Sequence, residues 1–349
     1  MWLLQLKRLM VERDVLIGLL IFGIFAMFAD FLGDLGQRDL AAKVRLSGLL
    51  LLIGLVIFEL VLRKKRQPFA IPIMFTEITD RQKSRNMFNS YIQAAKLSRS
   101  ANILEKLTQV KVHDLVIRLD RRNPRGSHDP QDWGDAWAEL LREWQEIDRE
   151  SIEEPLTTEG RCYHIFPNII LPLAFALGAS VNFRRSLVLY HSQDEQYYNV
   201  LDLHNPREII QGGDSTVKPP EVVHSNLDTL PKKDKLILHI IISARHIEKF
   251  EAHIDYQNAT NIAIAYRFDP DPATNWIPYV KQIFQQAKPL IAQYREVEIC
   301  LICPSVIAFT LGMAFSRTPY LTVCHWFGSS LEYQPVFSLS QIEDHLPFS

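Results

Sequence analysis

The residues able to hold a ligand gather where apolar, strand-like runs end. Phe166-Pro167-Asn168 and Cys303-Pro304-Ser305 each close such a run just before a helix-forming stretch. Pro suits a first helical turn and Ser or Asn a cap, and a helix starting there aims free N–H groups and its positive dipole end outward. The chemistry this implies is anion binding, with phosphate the natural guest. Thr76 and Ser243 add hydroxyls after two further runs, Arg245 and His246 add charge or a stacking face, and Phe268, Trp326 and Tyr333 add rings able to stack on bases. Each has a plain alternative: an ordinary helix cap for the turns, a packing residue for each ring. The four cysteines, Cys162, Cys300, Cys303 and Cys324, sit in apolar runs, where a thiol packs as a small hydrophobe. Cys300 and Cys303 have CxxC spacing, but three positions along a strand put them on opposite faces, so no metal or redox centre is expected.

Other chemistry is missing from the sequence. There is no phosphate-binding glycine-lysine loop, nucleophile elbow, HExxH helix or dinucleotide fingerprint. Asp269-Pro-Asp271 is the one carboxylate pair that tempts an enzymatic reading, and it also reads as a capping turn. With 38 basic and 40 acidic residues the 349-residue chain carries a net charge of −2, which argues against a duplex-binding surface. A nucleotide-sized anion needs only a few local donors.

The elements that must position these residues follow two patterns. The first 66 residues hold two apolar stretches, about 14–33 and 46–62, each near the minimum for crossing a hydrocarbon layer of roughly 30 Å. Lys7, Arg8 and Arg13 precede the first, and the cluster Arg63-Lys64-Lys65-Arg66 follows the second, so both ends are expected on the cytoplasmic side of a bacterial inner membrane. Asp30 and Glu59 sit near the ends of these spans; either they reach the interface or they mark a helix contact or a conduction path.

From residue 67 onward, short β-rich runs alternate with amphipathic helices, the pattern of an α/β domain with crossover helices. The pattern occurs twice, in halves 67–204 and 235–349 joined by a connector at 205–234 with four prolines and a Gly-Gly pair. Placing Gly178 on Gly312 matches Ala174 with Ala308, Phe175 with Phe309, Leu177 with Leu311 and His191 with His325; a one-residue shift then sets Tyr198 on Tyr333. Opening strands are expected at Ile71–Ile78 and Leu236–Ala244, followed by helices around Ser84–Leu97 and Ile247–His253. A stripe of Trp133, Trp137, Leu140, Leu141, Trp144 and Ile147 at helical spacing reads as core. Its counterpart carries Trp276, Tyr279, Val280, Ile283 and Phe284, with Pro289 predicting a kink or early end.

This duplicated run of strand, turn, helix with Ala-x-x-x-Gly, strand ending in an aromatic or His, and a Tyr-led last strand ending in Leu resembles the SAVED domain, two fused CARF-like, Rossmann-type units. The resemblance covers roughly 69–349. It implies a sensor of CBASS antiphage defence: a non-enzymatic effector, without cofactor or metal, that binds a cyclic oligonucleotide made by a partner nucleotidyltransferase. It further implies a ligand-induced homo-oligomer whose two helices contact membrane lipid and disrupt the inner membrane. The implied ligand-binding set is Thr76, Pro167, Asn168, Ser243, Arg245, His246, Phe268, Pro304, Ser305, Trp326 and Tyr333. A membrane-tethered nucleotide- or sugar-handling enzyme and a passive anchored scaffold stand as alternatives.

Overall fold

The computed structural model describes residues 25–35, 37–65, 69–107, 110–119, 123–152, 161–181, 185–211, 216–225, 234–245, 250–316, 318 and 320–343, with positions 23 and 183; over 52–65 and 150–152 it describes the backbone alone. Contacts divide the chain into two units, 1–69 with 152–160, and 70–151 with 161–349.

In the first unit, helix α1 (25–34) and helix α2 (Arg38–Lys65, 28 residues) form a hairpin. Ala29, Leu32 and Ala41 bury one another in its seam. Gly48 lies so close to Phe25 that a Cβ there would need the ring to give way. Asp30 ion-pairs with Arg45, both groups well exposed, so this carboxylate has a cross-helix partner. Among the described residues no helix is long and apolar enough to cross a membrane. Half of the expected 14–33 span, and the side chains of 52–62, lie outside the described residues.

The second unit contains two sheets. The first joins β1 (Phe69–Thr76), β2 (Val116–Arg118), β3 (Arg161–Asn168), β4 (Ser186–Gln193) and β5 (Gln196–Leu203) in the order β2-β1-β3-β4-β5. The other joins β6 (Glu221–His224), β7 (Lys235–Ile242), β8 (Thr260–Tyr266), β9 (Glu296–Ile302), β10 (Leu321–Phe327) and β11 (Glu332–Ser338) in the order β11-β10-β9-β7-β8-β6. Without β6 the two orders are the same. Each half places its second strand outside its first and ends in an antiparallel hairpin. Even the irregularity repeats: a bulge falls between Leu189 and Tyr190 and, 134 positions on, between Val323 and Cys324.

Several sequence expectations need correction. The connector is not all loop, since β6 adds an antiparallel edge to β8 and Pro206–Ile210 forms a 3-10 turn. The helix expected around Ile247–His253 is one 3-10 turn, Phe250–Ala252, among the described residues; 246–249 lie outside them. Pro289 lies inside its helix, which runs only two residues further, to Ile291; without an N–H it gives nothing to the carbonyl of Gln285. Tyr333 corresponds to Tyr197, not Tyr198. The second hairpin closes with Phe327 opposite Glu332, the first with Gln193 opposite Gln196, so its turn is two residues longer and the shift is two.

Helices α3 (Arg81–Ala94), α4 (Ser98–Leu107), α5 (Pro130–Ile152), α6 (Leu171–Val181), α7 (Ile277–Ile291), α8 (Ser305–Phe315) and α9 (Ser340–Glu343) complete the unit. The tryptophan stripe of α5 is core: Trp133, Trp137 and Trp144 are buried, as is Trp276. The centre is the pair α6 and α8, every residue of which but the first is buried. A Cβ at Gly178 would fall on the carbonyl of Phe309, and one at Gly312 on the carbonyl of Phe175. The repeated glycine is therefore what lets two backbones touch.

Candidate functional site at the strand ends

The carboxyl ends of parallel strands are where open α/β sheets hold ligands, and here the two halves reach across to each other's. After β2, a segment capped by Asn123 carries Arg125 and His128. His128 stacks on Phe327, the last residue of β10, with 4.1 Å between ring centres, and its Nδ1 lies 2.8 Å from Gln334 Oε1. Trp133 packs 4.9 Å from His325 and donates its indole N–H to the carbonyl of Ser127. The second half repeats the gesture. Trp276 packs 5.0 Å from His191, donates its indole N–H to Asp271 O, and its backbone N–H goes to Val200 of β5. Burial pushes the His325 imidazole down to about 4 and lowers that of His191, so both rings are neutral packing groups at pH 7.

Charge at the first half's opening is internal. Glu77 follows β1, is only 17% exposed, and pairs with Arg125 at 2.8 Å. Burial raises its carboxyl above the usual range, against the pull of Arg125, Asn123 and the backbone N–H of Ile170. Ile170 immediately precedes α6, so a carboxylate of the chain itself already occupies the start of that helix. The equivalent positions in the second half are Ser243 and Pro304. Proline has no N–H to give, and Ser243 carries a hydroxyl where Glu77 carries a carboxylate.

The predicted site residues fall as follows. Thr76 is fully buried and its hydroxyl accepts the N–H of Ile78. Pro167 and Asn168 still belong to β3, and α6 begins at Leu171; by the 134-residue repeat, Ile170 and not Pro167 corresponds to Pro304. Asn168 reaches Met87 Sδ at 3.5 Å. Pro304 is itself the cap of α8, without a side-chain bond, and Ser305 is its first helical residue, the reverse of the expected roles. The Ser243 hydroxyl accepts the N–H of Arg245, whose side chain is exposed. Phe268 is 40% exposed and meets Tyr266 and Tyr279 edge-on. Trp326 and Tyr333 pack on each other across β10 and β11, with Tyr333 buried. His246 lies outside the described residues.

Sequence reasoning missed Glu77, Arg125 and His128; at Glu77 the repeat puts a serine, Ser243, so likeness between the halves gives no signal there. Asp269 and Asp271 each accept a backbone N–H, from Ala244 and Ala273, and neither caps α7, whose cap is Trp276. A separate cavity of about 450 Å³ lies outside the first sheet, lined by Arg81, Arg85, Arg118 and His113 together with Glu143 and Glu146; its mixed charge differs from the strand-end site.

No family profile and no curated protein matches the sequence. Solved structures give a faint likeness in fold. The Acinetobacter baumannii Cap4 SAVED/CARF-domain containing receptor with the cyclic trinucleotide 2'3'3'-cAAA overlaps with a TM-score of 0.48 at 12% identity, over 87% of this chain and 59% of that one. The same receptor with 3'3'3'-cAAA gives 0.46 at 13%, over 87% and 59%. The Moraxella osloensis Cap4 receptor gives 0.41 at 14%, over 94% and 76%. The chain thus spans about three fifths of the Acinetobacter receptor. At these scores the ligand and activity are not assigned by likeness.

Proposed function

We propose that this chain is a CBASS-type effector whose duplicated domain binds a cyclic oligonucleotide between its two sets of strand ends. The observation that carries the reading is the repetition of one strand order in two sheets, each closed by an aromatic reaching in from the other half. Such a cleft offers two similar but unequal faces to a ligand built from repeated nucleotides. Arg125 and Arg245 supply cations at the first and second openings, and Phe268 supplies a half-exposed ring. Glu77 holds Arg125, so phosphate must displace a carboxylate there.

The response, in this reading, is ligand-driven self-association of the domain, clustering N-terminal helices in the inner membrane until it leaks, with no turnover of the messenger. The hairpin supports a membrane role through its exposed Met27, Phe28, Phe31, Leu46 and Leu50, a surface too apolar to leave in water. Ligand must favour the assembled state by a few kcal/mol, enough to turn a minor population into the main one.

Calorimetry on the full chain with cyclic di-, tri- and tetranucleotides, paired with dye release from liposomes, tests both parts. Binding of one messenger with release that depends on it is expected. No binding across the panel sinks the sensor reading, and binding without release sinks the membrane half alone. Turnover of the ligand would move the protein to the enzyme class, and toxicity that survives exchange of the hairpin for an unrelated anchor would favour a scaffold.

A further inference from the structure

One face of the second sheet buries an unusual set of side chains. Register places His239 of β7 beside Cys300 of β9, and Cys300 beside Cys324 of β10. His253, just after the 3-10 turn that covers this face, bridges to Tyr333 of β11. One ligand atom each from His253, Cys300 and Cys324 lies within 4.8 Å of the others, and all three residues are buried. His253 Nε2 stands 3.5 Å from Cys324 Sγ. Bonds of about 2.1 Å to nitrogen and 2.3 Å to sulfur at a tetrahedral centre put such a pair about 3.6 Å apart.

A second observation is independent of that geometry. His239 is 0% exposed, and among the described residues neither ring nitrogen has a hydrogen-bond partner. Its neighbours are the edges of Phe250 and Tyr333. A buried imidazole left unsatisfied on both sides calls for an explanation, and an ion is one of the few available.

We propose that His253, Cys300 and Cys324 form a structural zinc site inside the second half, and that His239, the strand neighbour of Cys300 just outside their 4.8 Å group, turns in as the fourth ligand. Two thiolates and two neutral imidazoles cancel the charge of Zn²⁺, so a neutral complex sits in the buried layer. The neighbouring pairs of Lys235 with Glu298, at 2.7 Å, and with Asp255 stay intact. On binding, each thiol releases its proton to solvent. His253 now accepts the Asp255 N–H at Nδ1 and holds its proton on Nε2, 2.9 Å from Glu298 Oε2. Coordination through Nε2 moves that proton to Nδ1 and gives up both the Asp255 and the Glu298 bonds, two hydrogen bonds against four metal bonds. Sequence spacing hid the site. The CxxC partner Cys303 lies beyond the end of β9, and the ligands come from three strands and a turn.

Because the layer is sealed, zinc must enter as the chain folds. The test is metal analysis of the full chain, produced with zinc in the medium and purified without chelators. About one zinc per chain is expected, and a cobalt-loaded preparation should show thiolate-to-cobalt charge transfer in the near ultraviolet. Cys324→Ser should cut bound zinc roughly tenfold, while Cys162→Ser, at a buried thiol outside the cluster, should leave it unchanged. If Cys324→Ser does not fold, the wild-type chain answers alone: unfolding it in urea beside a colorimetric chelator should release zinc in step with loss of structure. Wild-type protein free of stoichiometric zinc, or equal loss in both cysteine variants, overturns the proposal.

Discussion

His191 of the first half packs 5.0 Å from Trp276 of the second, ring centre to ring centre, and the repeat returns the contact as His325 on Trp133. Each half thus finishes the other's strand-end wall. Separating the halves would strip the cover from two large indoles, each worth a few kcal/mol of buried apolar surface, so the duplicated domain holds as one piece.

The Glu77–Arg125 pair sets the first prediction. Glu77→Gln frees the guanidinium and the Ile170 N–H for phosphate, and messenger affinity should rise. Arg125→Ala removes a charge-assisted bond of about 1.5–3 kcal/mol and should weaken binding about tenfold or more. Calorimetry with the active cyclic oligonucleotide reads both; an unchanged Kd in Glu77→Gln would show that ligand never reaches this pair.

The glycine contact between α6 and α8 admits no side chain. Gly178→Ala or Gly312→Ala should destabilise the domain by about 3 kcal/mol, at the upper end of overpacking costs because backbone cannot yield as a side chain does. Urea unfolding followed by circular dichroism checks it, with Gly134→Ala, in open space on α5, as the neutral comparison.

Asp148 is held between two arginines, 3.1 Å from Arg161 and 3.1 Å from Arg185, with Arg161 almost wholly buried. Burial raises the Asp148 carboxyl against the pull of Arg185 and Arg161. Asp148→Ala would strand two buried cations and should cost about 3–5 kcal/mol, read by the same unfolding experiment. A loss under 1 kcal/mol would mean that water reaches the arginines.

Acid should loosen the domain through its buried histidines. Burial pushes His164 and His325 down to about 4 and lowers His191. Their unfolded pKa is near 6.5, so between about 6.5 and 4 the unfolded chain binds more protons, and stability falls as pH falls through that window. His164 and His325 each contribute on the order of 1–2 kcal/mol by pH 5. Thermal melts at pH 7 and pH 5 should show the drop, and His164→Gln should reduce its size.

Much of the architecture was legible in the sequence because periodicity records which face of an element is buried. The alternation of runs, the tryptophan stripe and the repeated Ala-x-x-x-Gly fixed an α/β domain built twice, and the shared strand order agrees. The hairpin shift from Tyr198 to Tyr197 was not legible, since a turn two residues longer changes register without changing pattern. Nor were the helix starts: Pro167-Asn168 has the composition of a cap, but pairing with β4, through Ile165 and its neighbours, keeps that strand running.

The chain's own order of residues determined its elements and their duplication. Only the tertiary structure decided that Glu77 fills the mouth of α6 while Pro304 leaves none to fill, that Arg125 belongs with a strand end far from it in sequence, and that Cys300 faces Cys324 and His253 instead of Cys303. The reason is geometric. Local sequence sets dihedral preference and burial pattern, whereas a site is made of atoms brought within a few ångströms by strand order and crossing loops, and no spacing along the chain encodes those distances.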